Sequence, residues 1–260
     1  MKIAIITPYY QESRETIERC LASVRQQTIK SDHFLISDGH PQAFLDNIGV
    51  RHVKLDVSHG DSGNTPRGIG AQLAISEAYD GVAFLDADNW YDSDHVQVCI
   101  ESARSLTGNY IDCDYVMARR RLISPDLKFK TEIPERLPRQ PDVSVMQRMH
   151  PAKHYCVDTN LYYFCPGSYF MIPYWNLMPK EVSSRGDDVF SVHLSSKNLV
   201  FAKTDKVTVN YFSRYARAYK MWGQPVPEDA KTILDVDKIV DWYLSPIFYT
   251  CGFGTAQKPA

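Results

Sequence analysis

The sequence lacks any long apolar run. No stretch approaches the roughly 20 consecutive apolar residues that a membrane-spanning helix requires. The N-terminal residues MKIAIITP are too short and too strand-like for a signal peptide. We therefore expect a cytoplasmic protein without a transmembrane segment; peripheral contact with a membrane is still compatible with this sequence.

An excess of charge of one sign is also missing. The chain has 29 lysines and arginines against 31 aspartates and glutamates, which gives a formal net charge of -2. No global basic field therefore attracts nucleic acid, and we expect no nucleic-acid partner. A ligand as acidic as a nucleotide diphosphate would need local cations, from a metal ion or from a few arginines.

Two common motifs are absent as well. The six cysteines form no CxxC pair and have no histidine at zinc-like spacing, so a zinc site is not predicted. Cys20 and Cys99 fall on the apolar faces of predicted helices, where a free cysteine behaves as a small hydrophobic side chain. No GxGxxG follows the first predicted strand, which argues against an NAD-dependent oxidoreductase.

What is present indicates an α/β protein. The 260 residues, 44% of them hydrophobic, are enough for one full domain with its own core. Strands are predicted at residues 2–7, 33–37, 51–57, 81–85 and 114–124, the first of them typical of a parallel strand covered on both faces. Helices are predicted to begin after Ser13, at Thr65, and after Asp92 or Ser93. This order predicts a Rossmann-like, mostly parallel sheet flanked by helices.

The second half of the chain is less regular. The periodicity breaks between residues 125 and 151, where prolines and charges dominate, and we predict a long loop there. A short helix at residues 187–195, a strand or hairpin at 199–211 and a terminal helix at 230–244 are predicted to follow.

Two aspartates follow the strand predicted at residues 81–85. Asp86 and Asp88 stand at i and i+2, so both carboxylates point the same way and can address one cation. Mg2+ or Mn2+ would accept them, with diphosphate oxygens completing the coordination shell. Such an ion neutralises negative charge on a departing nucleotide diphosphate. The alternative is that both aspartates only form the turn and cap the next helix.

Other polar residues follow neighbouring strands at the same predicted edge, where open α/β sheets bind ligands. The segment PYYQE at residues 8–12 follows the first strand, Asp38 follows the second, and Arg67 lies in the first turn of a helix. Gly68 and Gly70 each cost that helix roughly 1 kcal/mol and would permit close approach of a ligand. Each residue has a structural alternative, such as core packing or turn formation, but their convergence favours a ligand site.

Four segments carry a family resemblance. ITPYYQE, ISDG, GNTPRGIGAQLAISEA and VAFLDADN resemble the inverting family 2 glycosyltransferases of the GT-A fold, over about the first 90 residues. A weaker match continues to RGDDVF near residue 190. The resemblance implies metal-dependent transfer of a sugar from a nucleotide-sugar donor to an acceptor hydroxyl, with inversion at the anomeric carbon.

The resemblance also assigns residues to the donor. Those that would face it are Pro8, Tyr10, Glu12, Asp38, Arg67 and Asp86. Within this set Asp38 would contact the base, and Asp86 the ribose or the metal. Asp88 would bind the Mn2+ or Mg2+ ion itself.

A second acidic pair lies in RGDDVF. In the family an acidic pair begins a helix here and its second member is the general base, so Asp188 would deprotonate the acceptor hydroxyl, with Asp187 as second choice. The alternative is that both aspartates only favour a helix N-terminus through the helix dipole.

The third metal ligand is not identified. Many GT-A enzymes supply a histidine from a C-terminal segment, but none follows His193, which we interpret as a structural residue. Asn210, Tyr211, or the diphosphate with water are the alternatives. Aromatic residues that would offer flat faces to sugar rings, unless they are core residues, are Tyr162, Tyr163, Trp175 and Trp222.

We predict a single GT-A domain over residues 1–260. Its nucleotide-sugar-binding half would be residues 1–110, its acceptor-binding half 111–210, and its C-terminal extension 211–260. The expected donor is a UDP-sugar and the acceptor a saccharide or another hydroxyl compound. A sugar nucleotidyltransferase would need a glycine-rich basic loop where this chain has PYYQE. A non-catalytic nucleotide-sugar-binding module, the other alternative, would need no general base.

Overall fold

A nine-stranded sheet lies at the centre of the computed structural model, which describes residues 1–133, 157–195 and 197–230. The strands are β1 (Ile3–Tyr9), β2 (Ser31–Asp38), β3 (Arg51–Leu55), β4 (Gly81–Phe84), β5 (Trp90–Tyr91), β6 (Tyr115–Ile123), β7 (Lys130–Ile133), β8 (Tyr162–Phe164) and β9 (Phe201–Phe212). Their order in the sheet is β3-β2-β1-β4-β8-β6-β9-β5, with β7 paired to β6.

The N-terminal half of the sheet is parallel. β1 pairs with β2 and with β4, and β2 pairs with β3, all in parallel register. All seven residues of β1 are buried, as its apolar run predicted, because helices cover both faces of such a strand. The carboxyl ends of β1, β2 and β4 therefore meet at one edge.

Antiparallel pairs enter only in the second half. β8 runs antiparallel to both β4 and β6, and β7 forms a hairpin with β6. β9 is parallel to β6, and the short β5 pairs antiparallel with β9. The result is a mixed α/β fold in which β8 joins the parallel strands of the first half to the second half.

Three helices belong to the first half: α1 (Arg14–Arg25), α2 (Asn64–Ser76) and α3 (His95–Thr107). The hydroxyl of Ser13 caps α1 by accepting from the Thr16 N–H. The predicted buried stripes of α1 and α3 are confirmed, and both contain a buried cysteine, Cys20 and Cys99.

Two predicted helix caps are wrong. α2 begins at Asn64 after a left-handed Gly63 (φ 80°), so Thr65 is already inside the first turn. The Thr65 hydroxyl donates instead to the Asp61 carboxylate (2.6 Å), which also accepts from the Thr65 N–H. α3 begins after Asp94, which makes no capping hydrogen bond through its side chain, rather than after Asp92 or Ser93.

The two glycines of α2 serve packing rather than ligand approach, which corrects the prediction. A Cβ on Gly70 would lie 2.7–2.8 Å from side-chain atoms of Ile36 and Ile6 in the sheet. A Cβ on Gly68 would lie 2.2 Å from the Asn176 side chain. Both positions therefore let α2 approach its neighbours more closely than any larger residue allows.

Three shorter α-helices lie in the second half: α4 (Tyr174–Leu177), α5 (Gly186–Ser195) and α6 (Ala216–Met221). Trp175 of α4 is fully buried and stacks on Phe190 of α5 at a centroid distance of 4.2 Å. Tyr162 and Tyr163 are fully buried too, so these three aromatic residues are core residues and offer no face to a sugar. Trp222 packs against Phe129.

Some predictions fall on residues outside those described. The loop predicted from residue 125 contains β7, and its part at residues 134–151 is not described. The helix predicted at residues 230–244 lies outside as well, apart from its first residue. Among the described residues, no helix has the length and apolar character to cross a membrane.

Candidate active site

The predicted donor residues gather at the edge formed by the carboxyl ends of β1, β2 and β4. Pro8 and Tyr9 end β1, Asp38 ends β2, and Asp86 follows β4 after one residue. The parallel register aligns these ends, since Pro8 lies beside Ile36 and Ile6 beside Phe84. The prediction that these segments share one edge is therefore confirmed in the structure.

Asp86 is held from two sides. The buried Arg67 of α2 donates to its Oδ1 at 2.8 Å, and the Asn160 side-chain amide donates to its Oδ2 at 2.9 Å. Arg67 is only 4% exposed and also donates to Asn64. Its guanidinium lies 4.9 Å from the centre of the Trp175 ring. Arg67 is thus an internal counter-charge of Asp86, not an exposed arginine.

Asn160 was missed by the sequence analysis. It lies in a short 3-10 turn, Thr159–Leu161, directly before β8. No motif marks it, because its approach to Asp86 depends on the antiparallel pairing of β8 with β4. The sequence pattern around Asn160 does not reveal that pairing.

The loop that carries Asp88 is braced by α1 and β9. Arg19 of α1 donates to the Asp88 carbonyl oxygen at 2.9 Å. Its guanidinium lies 4.5 Å from the ring centre of Trp90 and 4.9 Å from that of Phe212. Burial lowers the pKa of Arg19, and the charge of Asp88 opposes that shift. The neighbouring Asn89 side chain accepts from the Phe212 N–H.

The residues around Asp88 set limits on a metal site. In the described ranges, no three His, Cys, Asp or Glu side chains are grouped so that they could hold a metal ion. Both oxygens of Asp86 are engaged as described. Asn210, considered as a further ligand, instead contacts Arg121 and Asp92. An ion here would take Asp88 as its main protein ligand and most other ligands from a bound diphosphate and water.

The edge is open to solvent at the end of β1. Tyr10 is 43% exposed, which excludes core packing, and its ring meets that of His40 edge-on at 4.5 Å. The Glu12 carboxylate accepts from the Tyr10 N–H at 2.7 Å. The Glu12 carbonyl oxygen accepts from the side chain of Gln42. These hydrogen bonds order the backbone that carries the exposed Tyr10 ring, next to the buried Pro8.

The Asp38 carboxylate accepts hydrogen bonds from residues 58–60. Its carboxylate accepts from the His59 N–H and ring nitrogen at 2.9 and 2.8 Å, and from the Gly60 N–H and the Ser58 hydroxyl at 3.3 Å. Burial favours a raised pKa for Asp38, but the hydrogen bonds from His59 and Gly60 outweigh it and lower the pKa. Asp38 thus organises the loop at residues 58–60 beside the site.

The two aspartates at the start of α5, Asp187 and Asp188, have different partners. The Asp188 carboxylate pairs with Arg185 and is only 3% exposed. Asp187 is half-buried and accepts a hydrogen bond from the Thr159 hydroxyl. Of the two, Asp187 is the carboxylate with the greater access to solvent.

The environment of Asp187 shifts its titration. Desolvation and the nearby charge of Asp158 raise the pKa of Asp187 to about 8. Asp86 adds to the shift, while the Thr159 hydrogen bond and Arg67 oppose it. Asp187 therefore belongs to the same charged cluster as Asp86 and Arg67.

His193 is fully buried on α5, and its ring lies 3.9 Å from that of Tyr174. Its interpretation as a structural residue agrees with this packing. The described cysteines are also buried, at Cys20, Cys99, Cys113 and Cys165.

Comparison with solved structures identifies the fold. The S. aureus TarS 1-349 structure in complex with UDP superimposes with a TM-score of 0.57 at 14% identity, over 85% of this chain and 63% of that one. The TarS 1-349 structure in complex with UDP-GlcNAc gives 0.55 at 14% identity, over 82% and 59%. At this identity the likeness concerns the fold alone, which is of the GT-A type.

Sequence comparison identifies the family. The succinoglycan biosynthesis protein ExoW of Rhizobium meliloti (strain 1021) is 30% identical over 120 residues, which are 43% of this chain and 36% of ExoW. The match thus spans about a third of ExoW and just under two thirds of the TarS 1-349 chain. The model of glycosyl transferase family 2 matches residues 4–168, more than half of the chain. The chain therefore belongs to glycosyl transferase family 2 and is an enzyme of the glycosyltransferase type, as its resemblance implied.

Proposed function

We propose that this glycosyltransferase moves a sugar from a UDP-sugar to a hydroxyl group of a saccharide or similar acceptor. One observation carries the proposal: Asp86 on the first half and Asp187 on the second half belong to one charged cluster with Arg67 as the internal cation, and Asp88 stands two residues after Asp86. Such a site would hold a diphosphate through a bound divalent cation, because Asp86 already balances the charge of Arg67, and it leaves a carboxylate for the acceptor.

The nucleoside would lie against the exposed ring of Tyr10, beside Pro8 and Glu12. The loop ordered by Asp38 would form the adjoining wall and present its backbone to the base. The UDP and UDP-GlcNAc complexes of TarS support a uridine nucleotide. The name of ExoW, a succinoglycan biosynthesis protein, supports a saccharide acceptor.

Asp88 would hold a Mn2+ or Mg2+ ion, which as a Lewis acid neutralises charge on the leaving diphosphate when bound. Arg19 fixes the backbone from which Asp88 projects. Asp86 would orient Arg67 and the ribose rather than supply the main ligand, because both its oxygens already accept hydrogen bonds.

A carboxylate of the second acidic pair would take the proton from the acceptor hydroxyl during in-line attack, with inversion at the anomeric carbon. The family resemblance points to Asp188 for this role, whereas the contacts favour Asp187. Asp188 is buried and paired with Arg185, while Asp187 is more exposed to solvent. Its raised pKa predicts that transfer increases as pH rises through about 8.

A thermal-shift panel tests the donor site. UDP, GDP, CDP and dTDP are each added with and without Mn2+, to wild type, Asp88→Ala and the control Asp112→Ala, which changes an exposed aspartate. We expect stabilisation by UDP with Mn2+, absent in Asp88→Ala and retained in Asp112→Ala. Stabilisation by no diphosphate, or an unchanged response in Asp88→Ala, contradicts the proposed donor site.

Asp187→Asn and Asp188→Asn then separate catalysis from binding. We expect Asp187→Asn to bind UDP with Mn2+ as wild type does and to lose transfer to an acceptor. If both variants transfer sugar at the wild-type rate, the chain uses neither carboxylate as a base. If wild type binds UDP and transfers nothing, the binding-module alternative is supported.

A further inference from the structure

One short turn touches both halves of the site. The consecutive residues Asp158, Thr159 and Asn160 each direct a side chain to a different partner. Asp158 pairs with Arg120 of β6, Thr159 donates to Asp187 of α5, and Asn160 donates to Asp86 after β4. All three are at most 5% exposed. The Cα atoms of adjacent residues are about 3.8 Å apart, so this turn fixes the spacing of the two carboxylates closely.

The Asn160 amide admits only one orientation. Its Nδ2 donates to Asp86 (2.9 Å) and to Asp158 (2.6 Å), and its Oδ1 accepts from the Asp86 N–H (2.5 Å). A flipped amide would set its oxygen against two carboxylates and its N–H groups against a backbone N–H. The Asp158 carboxylate also accepts from the Asn160 N–H, which fixes the backbone. Asn160 is thus fully hydrogen-bonded, without freedom to rotate.

We infer that Thr159 and Asn160 are positioning residues, which hold Asp187 and Asp86 at a set separation across the site. Neither contacts the reacting atoms; each acts through a carboxylate. The functional part of this inference rests on the proposed function, whereas the hydrogen bond from Thr159 to Asp187 is testable without any activity.

Thr159 offers the cleaner substitution. Thr159→Val removes the hydroxyl at nearly constant volume, and Thr159→Ser restores it. Asn160→Ala would remove one donor from each of Asp86 and Asp158 and the acceptor of the Asp86 N–H at once, and it risks unfolding the chain. Thr208→Val is the matched control, because Thr208 is equally buried and its hydroxyl contacts His95 on α3.

Loss of the Thr159 hydroxyl removes a donor that favours ionised Asp187. The other charged or titratable groups that face Asp187 are Asp158, Asp86, Arg67 and Tyr215. All of them remain in Thr159→Val. We therefore expect the apparent pKa of Asp187 to rise by about 0.5–1 unit, as expected for one lost hydrogen bond.

Two readouts test this. The first is the unfolding free energy of wild type, Thr159→Val, Thr159→Ser and Thr208→Val, each measured against pH with and without the additional change Asp187→Asn. The difference within each pair reports the titration of Asp187. The second is the acidic limb of the pH–rate profile of UDP-sugar transfer. In Thr159→Val the midpoints of both pH curves should lie about 0.5–1 pH unit higher than in wild type. In Thr159→Ser they should return to the wild-type values, and in Thr208→Val they should not change.

The outcomes separate the two claims. If Thr159→Val lowers stability but moves neither curve, the positioning role is overturned, whatever the wild-type activity. If the stability curve moves while wild type transfers no sugar, the hydrogen-bond inference stands and the proposed function fails. If the stability curve moves and the rate profile of an active wild type does not, Asp187 is positioned by Thr159 but is not the base.

Discussion

The guanidinium of Arg19 donates a 2.9 Å hydrogen bond to the backbone carbonyl oxygen of Asp88. This contact joins the first helix of the chain to the loop that carries the candidate metal ligand. The Arg19 guanidinium also lies 4.5 Å from the ring centre of Trp90 and 4.9 Å from that of Phe212, so its loss would remove both contacts as well. The geometry of the Asp88 loop therefore depends on a residue far from it in sequence.

Arg19→Met should destabilise the protein and weaken its response to Mn2+ and UDP. The change removes a hydrogen bond from a charged group and two cation–π contacts, so we expect a loss of ~2 kcal/mol in unfolding free energy. Arg25→Met is the control on the same helix, since exposed Arg25 also donates to a carbonyl oxygen, that of Ile48. Urea unfolding should show a loss below ~1 kcal/mol for Arg25→Met. Equal losses in the two variants would refute a special role for Arg19.

Arg67→Met should cost more than an ordinary ion pair. Removal of this buried cation leaves Asp86 without its charged partner and removes an interaction that lowers the pKa of Asp187. We expect a loss of ~3 kcal/mol and no donor binding by calorimetry. In the control Arg51→Met, a half-exposed pair with Glu77 is lost, and the expected cost is at most ~1 kcal/mol. Wild-type affinity for UDP in Arg67→Met would remove Arg67 from the donor site.

Asp187 should make the protein less stable as pH rises. Its pKa is about 8 in the folded protein and 3.8 as its ordinary value, so the folded state retains a proton that the unfolded state releases. The stability gained from this retained proton is fully present below pH 3.8 and is lost as pH rises through about 8. Relative to Asp187→Asn, wild type should lose on the order of 2 kcal/mol between pH 4 and pH 8, allowing for partial solvation. Parallel stability curves for the two proteins would show that Asp187 titrates normally.

Gly70→Ala should destabilise the protein through overpacking. The added methyl group would meet Ile36 and Ile6 at 2.7–2.8 Å, and these strand residues have little room to move. The expected loss is about 1–3 kcal/mol, against the gain of up to 1 kcal/mol that alanine brings to an exposed helix position. The exposed Ser76→Ala, on the same helix, should be neutral or slightly stabilising. A stabilising Gly70→Ala would instead mean that α2 can move away from the sheet.

The elements in the first half of the fold were predictable because each carries a local pattern. The apolar run of β1 and the spaced apolar residues of α1 follow from burial on one or both faces, and the site edge follows from parallel pairing. The partners of the site residues were not predictable. Asn160 reaches Asp86 only through the antiparallel addition of β8, and the glycines of α2 fit side chains on distant elements. The donor-side aspartates stand in local motifs, whereas their hydrogen-bond partners are set by tertiary packing.

Trp175 lies under the guanidinium of Arg67, sealed from solvent by Phe190. An indole so close to a fixed positive charge has its emission energy displaced by the local electric field. A negatively charged ligand that draws on Arg67 changes that field while the ring itself stays dry. Trp175, one of four tryptophans in the chain, should therefore report a change of charge at Arg67 through its fluorescence, without an added label.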